Sequence, residues 1–257
     1  GLSKCAVLSM VKGKRNTGSG LELPSGEMMK DVEEDGYKYL GVLQKDSFMY
    51  AEMKRKVKKE YFRRLVCLLK SQLNAGNLIA GINAWAIGVV RYSAGILNWG
   101  KMELKKMDTK TRRIMTMHGA FHRKSNVGRL YLKRKDGGRG LISVEDCVRI
   151  EEENLLKYVN GSEEWMLQLV SQAEIVAGRI HDVEYRKRVE EQRKTELLGK
   201  PLHGRFFNST DVNEQGNTIA GPRSLEWVRS GYMTKSTEAY IFAAQEQAWR
   251  TNVGIAK

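Results

Sequence analysis

The sequence predicts a mainly α protein: a small β-hairpin region at the N-terminus, then a helical bundle, then a helical C-terminal region. Only 3 prolines occur in 257 residues, so few positions forbid a helix interior. Apolar residues recur mostly at spacings of three and four, and alternating Val, Ile and Thr runs are rare. A hydrophobic share of 41% is enough to build a buried core.

The first 45 residues read as short strands and turns. Lys4 to Met10 is a strand, Lys12 to Gly20 a loop, and Leu21-Glu22-Leu23 a strand that enters the turn Pro24-Ser25-Gly26. Tyr37 to Leu43 is a further strand. Asp46 or Ser47 then caps a long helix that reaches about Leu73. Met49, Met53, Val57, Tyr61, Leu65, Leu68 and Leu69 fall on one stripe of it, and Lys54, Arg55, Lys58, Lys59, Arg63 and Arg64 cover much of the rest. Leu78 to Trp99 is apolar and about long enough to span a bilayer. It carries Arg91 and three glycines, so the spacing predicts a buried core helix over 77–97.

A third helix is expected over Lys101 to Met117, with Leu104, Met107, Ile114 and Met115 inward. Lys105, Lys106, Lys110, Arg112 and Arg113 then face out. Arg129 to Ile142 reads as a β-hairpin turned by Asp136-Gly137-Gly138. Ser143 caps a helix over 144–159, another begins near Ser162, and residues 181–198 make a charged helix. Asn208 to Arg223 is a polar linker, and Lys235 to Thr251 a last amphipathic helix. The expected organisation is therefore 1–45, 46–118, 119–207 and 208–257.

The formal net charge is +14 and the isoelectric point about 9.6. The usual partner of such a surface is a polyanion, because binding phosphates releases counterions. The excess is concentrated between Lys101 and Gly140. Besides the third-helix cations, that block holds Arg123, Lys124, Arg129, Lys133, Arg134, Lys135 and Arg139, against only Glu103, Asp108 and Asp136. Solvated faces normally mix signs. A basic helix followed by a basic hairpin makes a surface able to track a phosphate backbone. Gly137-Gly138-Arg139-Gly140 reads equally as a plain turn and as a place where backbone amides approach a phosphate. Tyr37 and Tyr39 flank Lys38 on one strand, where an aromatic can stack on a base or sugar, and where each reads at least as well as a core residue. Trp85, Trp99, Trp165, Trp227 and Trp249 read as packing residues.

Little points to chemistry. His118 and His122 have a helical zinc spacing, but Gly119 lies between them and no Cys, Asp or Glu ligand is near, so a structural role or an RNA contact is the better reading. No Ser-His-Asp set, nucleotide fingerprint or carboxylate cluster for two metals stands out. Cys5, Cys67 and Cys147 are odd in number and far apart, which suits free buried thiols in a reducing compartment, nuclear or cytoplasmic. The opening Gly1-Leu2-Ser3-Lys4-Cys5, without Met or signal peptide, reads as part of a longer protein.

Taken in order, Gly1-Leu2-Ser3-Lys4-Cys5, Tyr37-Lys38-Tyr39-Leu40-Gly41 and Asp136-Gly137-Gly138-Arg139-Gly140-Leu141 resemble the segment that follows the catalytic motif of non-LTR retrotransposon reverse transcriptases. Met115 to Asp146 and Ala243-Ala244-Gln245-Glu246-Gln247-Ala248 resemble animal proteins of retroelement origin. The resemblance covers essentially the whole chain. It implies that 1–45 is the end of a palm, in which Lys4 lies near the incoming nucleotide. Tyr39, Leu40 and Gly41 match the primer grip, 46–118 a thumb along the template–primer, and the basic stretch through Gly140 an RNA-contacting linker. The aspartate pair that holds two Mg ions in the full polymerase would lie upstream of Gly1, with the fingers and most of the palm. The implied partners are RNA and RNA/DNA hybrid, with no cofactor in this chain and no membrane. The alternatives are a domesticated RNA-binding module and, last, a protein that docks on acidic surfaces. The last lacks a basic amphipathic segment with exposed Trp or Phe.

Overall fold

A computed structural model describes residues 5–16, 20–29, 31–32, 37–45, 49–176, 184–204 and 225–248, with helix bounds from the backbone alone at 173–176. The fold is mainly α, with small two-stranded antiparallel hairpins confined to the N-terminal region. The chain divides into two units, residues 1–57 and 58–257. Lys4, the Asp46 and Ser47 caps, the 208–223 linker, His181 and Trp249 lie outside the described residues.

The first unit holds three hairpins: β1 (Ser9–Val11) with β2 (Lys14–Asn16), β3 (Leu21–Glu22) with β4 (Met28–Met29), and β5 (Tyr37–Tyr39) with β6 (Val42–Gln44). Two turns use the same device. Lys12 and Gly13 have φ of 48° and 76°, and Leu40 and Gly41 have 45° and 83°. A two-residue loop with both φ positive matches the right-handed twist of the strands it joins. Tyr37 to Leu43 thus extends into a hairpin, in register Tyr37 with Gln44 and Tyr39 with Val42. Among the described residues of the first unit, the buried apolar side chains are Val32, Val42 and Leu43 and, from its helical end, Met53 and Val57.

Helix α1 (Tyr50–Lys70) follows the expected stripe: Tyr61, Leu65 and Leu69 are fully buried. The apolar segment is a helical run in three parts, α2 (Ala75–Gly81), a π turn (Ile82–Ala86) and α3 (Ile87–Ser93). Leu78, Ile82, Ile87 and Val90 bury completely, so the run is core. Among the described residues no helix is long and apolar enough to cross a membrane. Asn74 caps α2 by accepting from the Asn77 N–H at 2.8 Å. Helix α4 (Lys101–Met117) starts where Glu103 accepts from the Gly100 N–H at 3.1 Å, and buries Leu104, Met107, Thr111 and Met115. The Tyr61 hydroxyl meets Thr111 Oγ1 at 2.8 Å, and burial holds this phenol well above its usual range.

The expected hairpin over Arg129–Ile142 does not form. Its place is taken by α5 (Val127–Tyr131), a 3-10 turn (Arg134–Asp136) and an extended return. Asn126 caps α5 by accepting from the Arg129 N–H at 3.1 Å. The return folds back on α5, with Arg139 N–H donating to Arg129 C=O and Leu141 N–H to Leu130 C=O, both at 3.1 Å. Gly138 is enclosed: a Cβ there would lie 2.2 Å from Leu132 O.

Helices α6 (Val144–Asn160), α7 (Trp165–Val176) and α8 (Tyr185–Leu198) follow, then α9 (Glu226–Ser230) and α10 (Lys235–Gln245). Ser143 caps α6 as expected, accepting from the Asp146 N–H at 2.9 Å. The C-terminal pair is no separate module but is built into residues 58–257. Gly76 N–H donates to Gly231 C=O at 2.8 Å, and Lys235 Nζ caps the end of α1 at the carbonyls of Leu69 and Ser71.

Candidate nucleic-acid interface

The basic block between 101 and 140 splits into two populations with opposite fates. One lies on the outer face of α4. Helical periodicity puts Lys105, Lys106, Lys110 and Arg113 opposite the buried Leu104, Met107, Thr111 and Met115. These cations flank an open groove of about 580 Å³ that also takes in Met102 and Met117. The two acids of α4 do not offset them. Glu103 pairs with Lys58 at 3.0 Å. Asp108 is buried, accepting from the N–H groups of Val144 and Glu145 at 2.7 and 3.1 Å. Burial pushes this carboxyl up to about 6, against the pull of those two bonds; Asp146 raises it further and Arg112 opposes. The exposed face of α4 therefore carries positive charge alone.

The second population points inward. Arg129 and Arg139, expected on the nucleic-acid surface, are 1% exposed and cannot reach a ligand. Arg139 donates from Nε to Glu238 at 2.9 Å and from Nη1 to Ala120 C=O. Arg134 forks onto the same carboxylate at 2.9 and 3.1 Å. Arg129 donates to Gly137 C=O at 2.9 Å, Gln245 at 2.5 Å and Glu246 at 3.5 Å. Its guanidinium lies over the Phe242 ring at 4.1 Å. Burial pulls Arg129 down to about 10, although Glu246 opposes this. The reason for the miss is plain: Glu238 comes from α10 and Glu246 from its C-cap, about a hundred residues downstream. A signal exists, since Glu238, Phe242 and Glu246 fall on one stripe with Ala239 and Ala243. Gly137 and Gly138 serve this packed turn and do not form an exposed phosphate cradle.

The remaining candidates divide likewise. Arg112 is half-buried and donates to Tyr131 Oη and Thr109 Oγ1, both at 3.0 Å. Lys133 pairs with Glu190 at 2.7 Å. On α1, Arg63 is held by Glu60 at 2.7 Å, and Lys58 by Glu103. Arg63 and Arg64 together pull the Glu60 carboxyl down to about 2. Lys59, Arg123, Lys124 and Lys135 are exposed. In the first unit Tyr37 is half-buried, while Lys38, Tyr39 and Gly41 are exposed around the β5–β6 turn. Trp85 and Trp165 are more exposed than packing residues: Arg64 covers the Trp85 ring at 5.1 Å, and Trp165 is 68% exposed. Cys5 and Cys67 are exposed too, and only Cys147 is buried. Burial pushes that thiol up to about 11.

Among the described residues no three His, Cys, Asp or Glu side chains come together to hold a metal ion, and no chemistry is assigned to one. No protein-family model and no curated protein matches the chain.

Proposed function

We propose that the chain is a nucleic-acid-binding part of a non-LTR retrotransposon reverse transcriptase, holding RNA or an RNA/DNA template–primer by its phosphates. The observation that carries this reading is the acid-free cationic face of α4. Lys105 to Arg113 spans roughly 12 Å of helix axis at ~1.5 Å per residue. A strand presents one phosphate per ~3.4 Å, so about three or four phosphates fall within reach. The attribution to a reverse transcriptase rests on the order of the sequence motifs. It is supported by the tight hairpin around Leu40-Gly41, where the primer-grip motif falls, with Tyr39 58% exposed. On this reading the chain binds and positions the template–primer.

The test is affinity for an RNA/DNA hybrid with a recessed 3′ end, against blunt hybrid and single-stranded RNA, over a salt series. The proposal expects tighter binding of the recessed end and a steep salt dependence. Equal, salt-steep binding to all three would favour a general RNA-binding module, and no binding to any would overturn both readings.

A further inference from the structure

We propose that the outer face of α7 docks on the α4 face of a second copy of the chain. Both helices pack against α6 within one copy, which leaves their outer faces open. The α7 face is apolar: Trp165 is 68% exposed, Met166 60%, Leu169 53% and Val170 47%. Spacings of one, four and five residues set these four side chains along one side of the helix. Exposed apolar stripes of this kind mark contact surfaces, and a bare tryptophan is the commonest anchor of one.

What covers the stripe is indicated by charge. Glu163 and Glu164 stand at its N-terminal end, exposed and without an ion pair among the described residues, in a chain whose net charge is +14. The complementary surface on the same molecule is α4, where Lys105, Lys106, Lys110 and Arg113 flank a groove carrying exposed Met102 and Met117. Helix-on-helix packing would set Trp165 and Met166 against one of these methionines and place the two glutamates among the cations beside it. Each copy offers both faces, so the contact either closes reciprocally about a two-fold axis as a dimer or repeats head-to-tail as a chain or ring. The like net charge of the copies opposes it, which makes the association weak and concentration-dependent.

The test is sedimentation velocity of the whole chain, without nucleic acid, up to roughly 100 µM at physiological salt, the range of a weak interface. The sedimentation coefficient should rise with concentration. The surface variants Glu163→Arg/Glu164→Arg and Lys106→Glu/Lys110→Glu should each stay monomeric alone, and their equimolar mixture should associate again. A chain that stays monomeric throughout overturns the proposal. So does association that survives both variants, which would indicate some other face, such as α7 against α7. Nucleic-acid binding is not measured in this experiment, so either idea can fail without the other.

Discussion

Arg139 donates from Nε to the Glu238 carboxylate at 2.9 Å, and both side chains are shut away from solvent. Arg134 shares that carboxylate, so one glutamate of α10 accepts hydrogen bonds from two guanidiniums in the turn after α5. Removing one partner of a buried pair strands the other without water, at about 3–5 kcal/mol. Glu238→Ala should therefore destabilise by that amount in urea unfolding followed by circular dichroism. Replacing Arg134 and Arg139 by Met together with Glu238 by Leu, so that no member of the set is left unpaired, should recover much of the loss, since apolar isosteres avoid the desolvation cost. A loss below about 1 kcal/mol for Glu238→Ala would contradict the burial described.

Two glycines give opposite expectations for the same substitution. A Cβ at Gly138 meets Leu132 O at 2.2 Å and Leu132 Cβ at 2.4 Å, where backbone must move. Gly138→Ala should cost roughly 3 kcal/mol or more, lowering the melting temperature by about 6–12 °C or more, or abolish folding. Gly88, inside α3, has nothing within 4 Å of a Cβ. Gly88→Ala should raise stability by about 0.5–1 kcal/mol through helix propensity. Thermal melts of the two variants check both.

Asp108 ties α4 to the start of α6, and its carboxyl is pushed up to about 6 from an ordinary 3.8. The folded state then holds this proton more tightly than the unfolded chain. Its contribution to stability is full below about 3.8 and is lost as pH rises through 6. The difference is on the order of 3 kcal/mol. Asp108→Asn should flatten the pH dependence of the melting temperature across that window relative to the parent chain. Parallel profiles would contradict it.

Leu40 holds a φ of 45° at an exposed turn position that favours Asn or Gly. Leu40→Asn should stabilise the hairpin by roughly 0.5–1 kcal/mol. If Leu40 meets a primer terminus, the same change should weaken binding of recessed hybrid more than of blunt hybrid. Equal binding changes would remove the hairpin from the interface.

The helices and the face of α4 were legible because a 3.6-residue period separates buried from exposed positions without knowledge of any neighbour. That logic failed at Arg112, whose outward register is captured by Tyr131. It failed more deeply at 129–142. Leu130 and Leu132 alternate like a strand, and Asp136-Gly137-Gly138 has the composition of a hairpin turn. Yet α5, the 3-10 turn and the return are stabilised by Glu238, Glu246 and Phe242 from the far end of the chain. A cation's solvent exposure depends on where its acid lies, and local sequence does not carry that. For the same reason nothing in the sequence signals that the segment leading into α10 joins α2, where Gly76 N–H donates to Gly231 C=O.

The most direct test is the salt dependence of hybrid binding by a charge-neutralised α4 face. Lys105, Lys106, Lys110 and Arg113 are changed to Gln, and a control chain carries Gln at Lys187, Lys194 and Lys200, exposed cations on and just after α8. The α4 variant should bind hybrid far more weakly, with the slope of log affinity against log salt reduced by about three. The control should keep the parent slope within about one unit. An α4 variant with undiminished affinity and slope, or a control that loses as much, would contradict a nucleic-acid interface on α4.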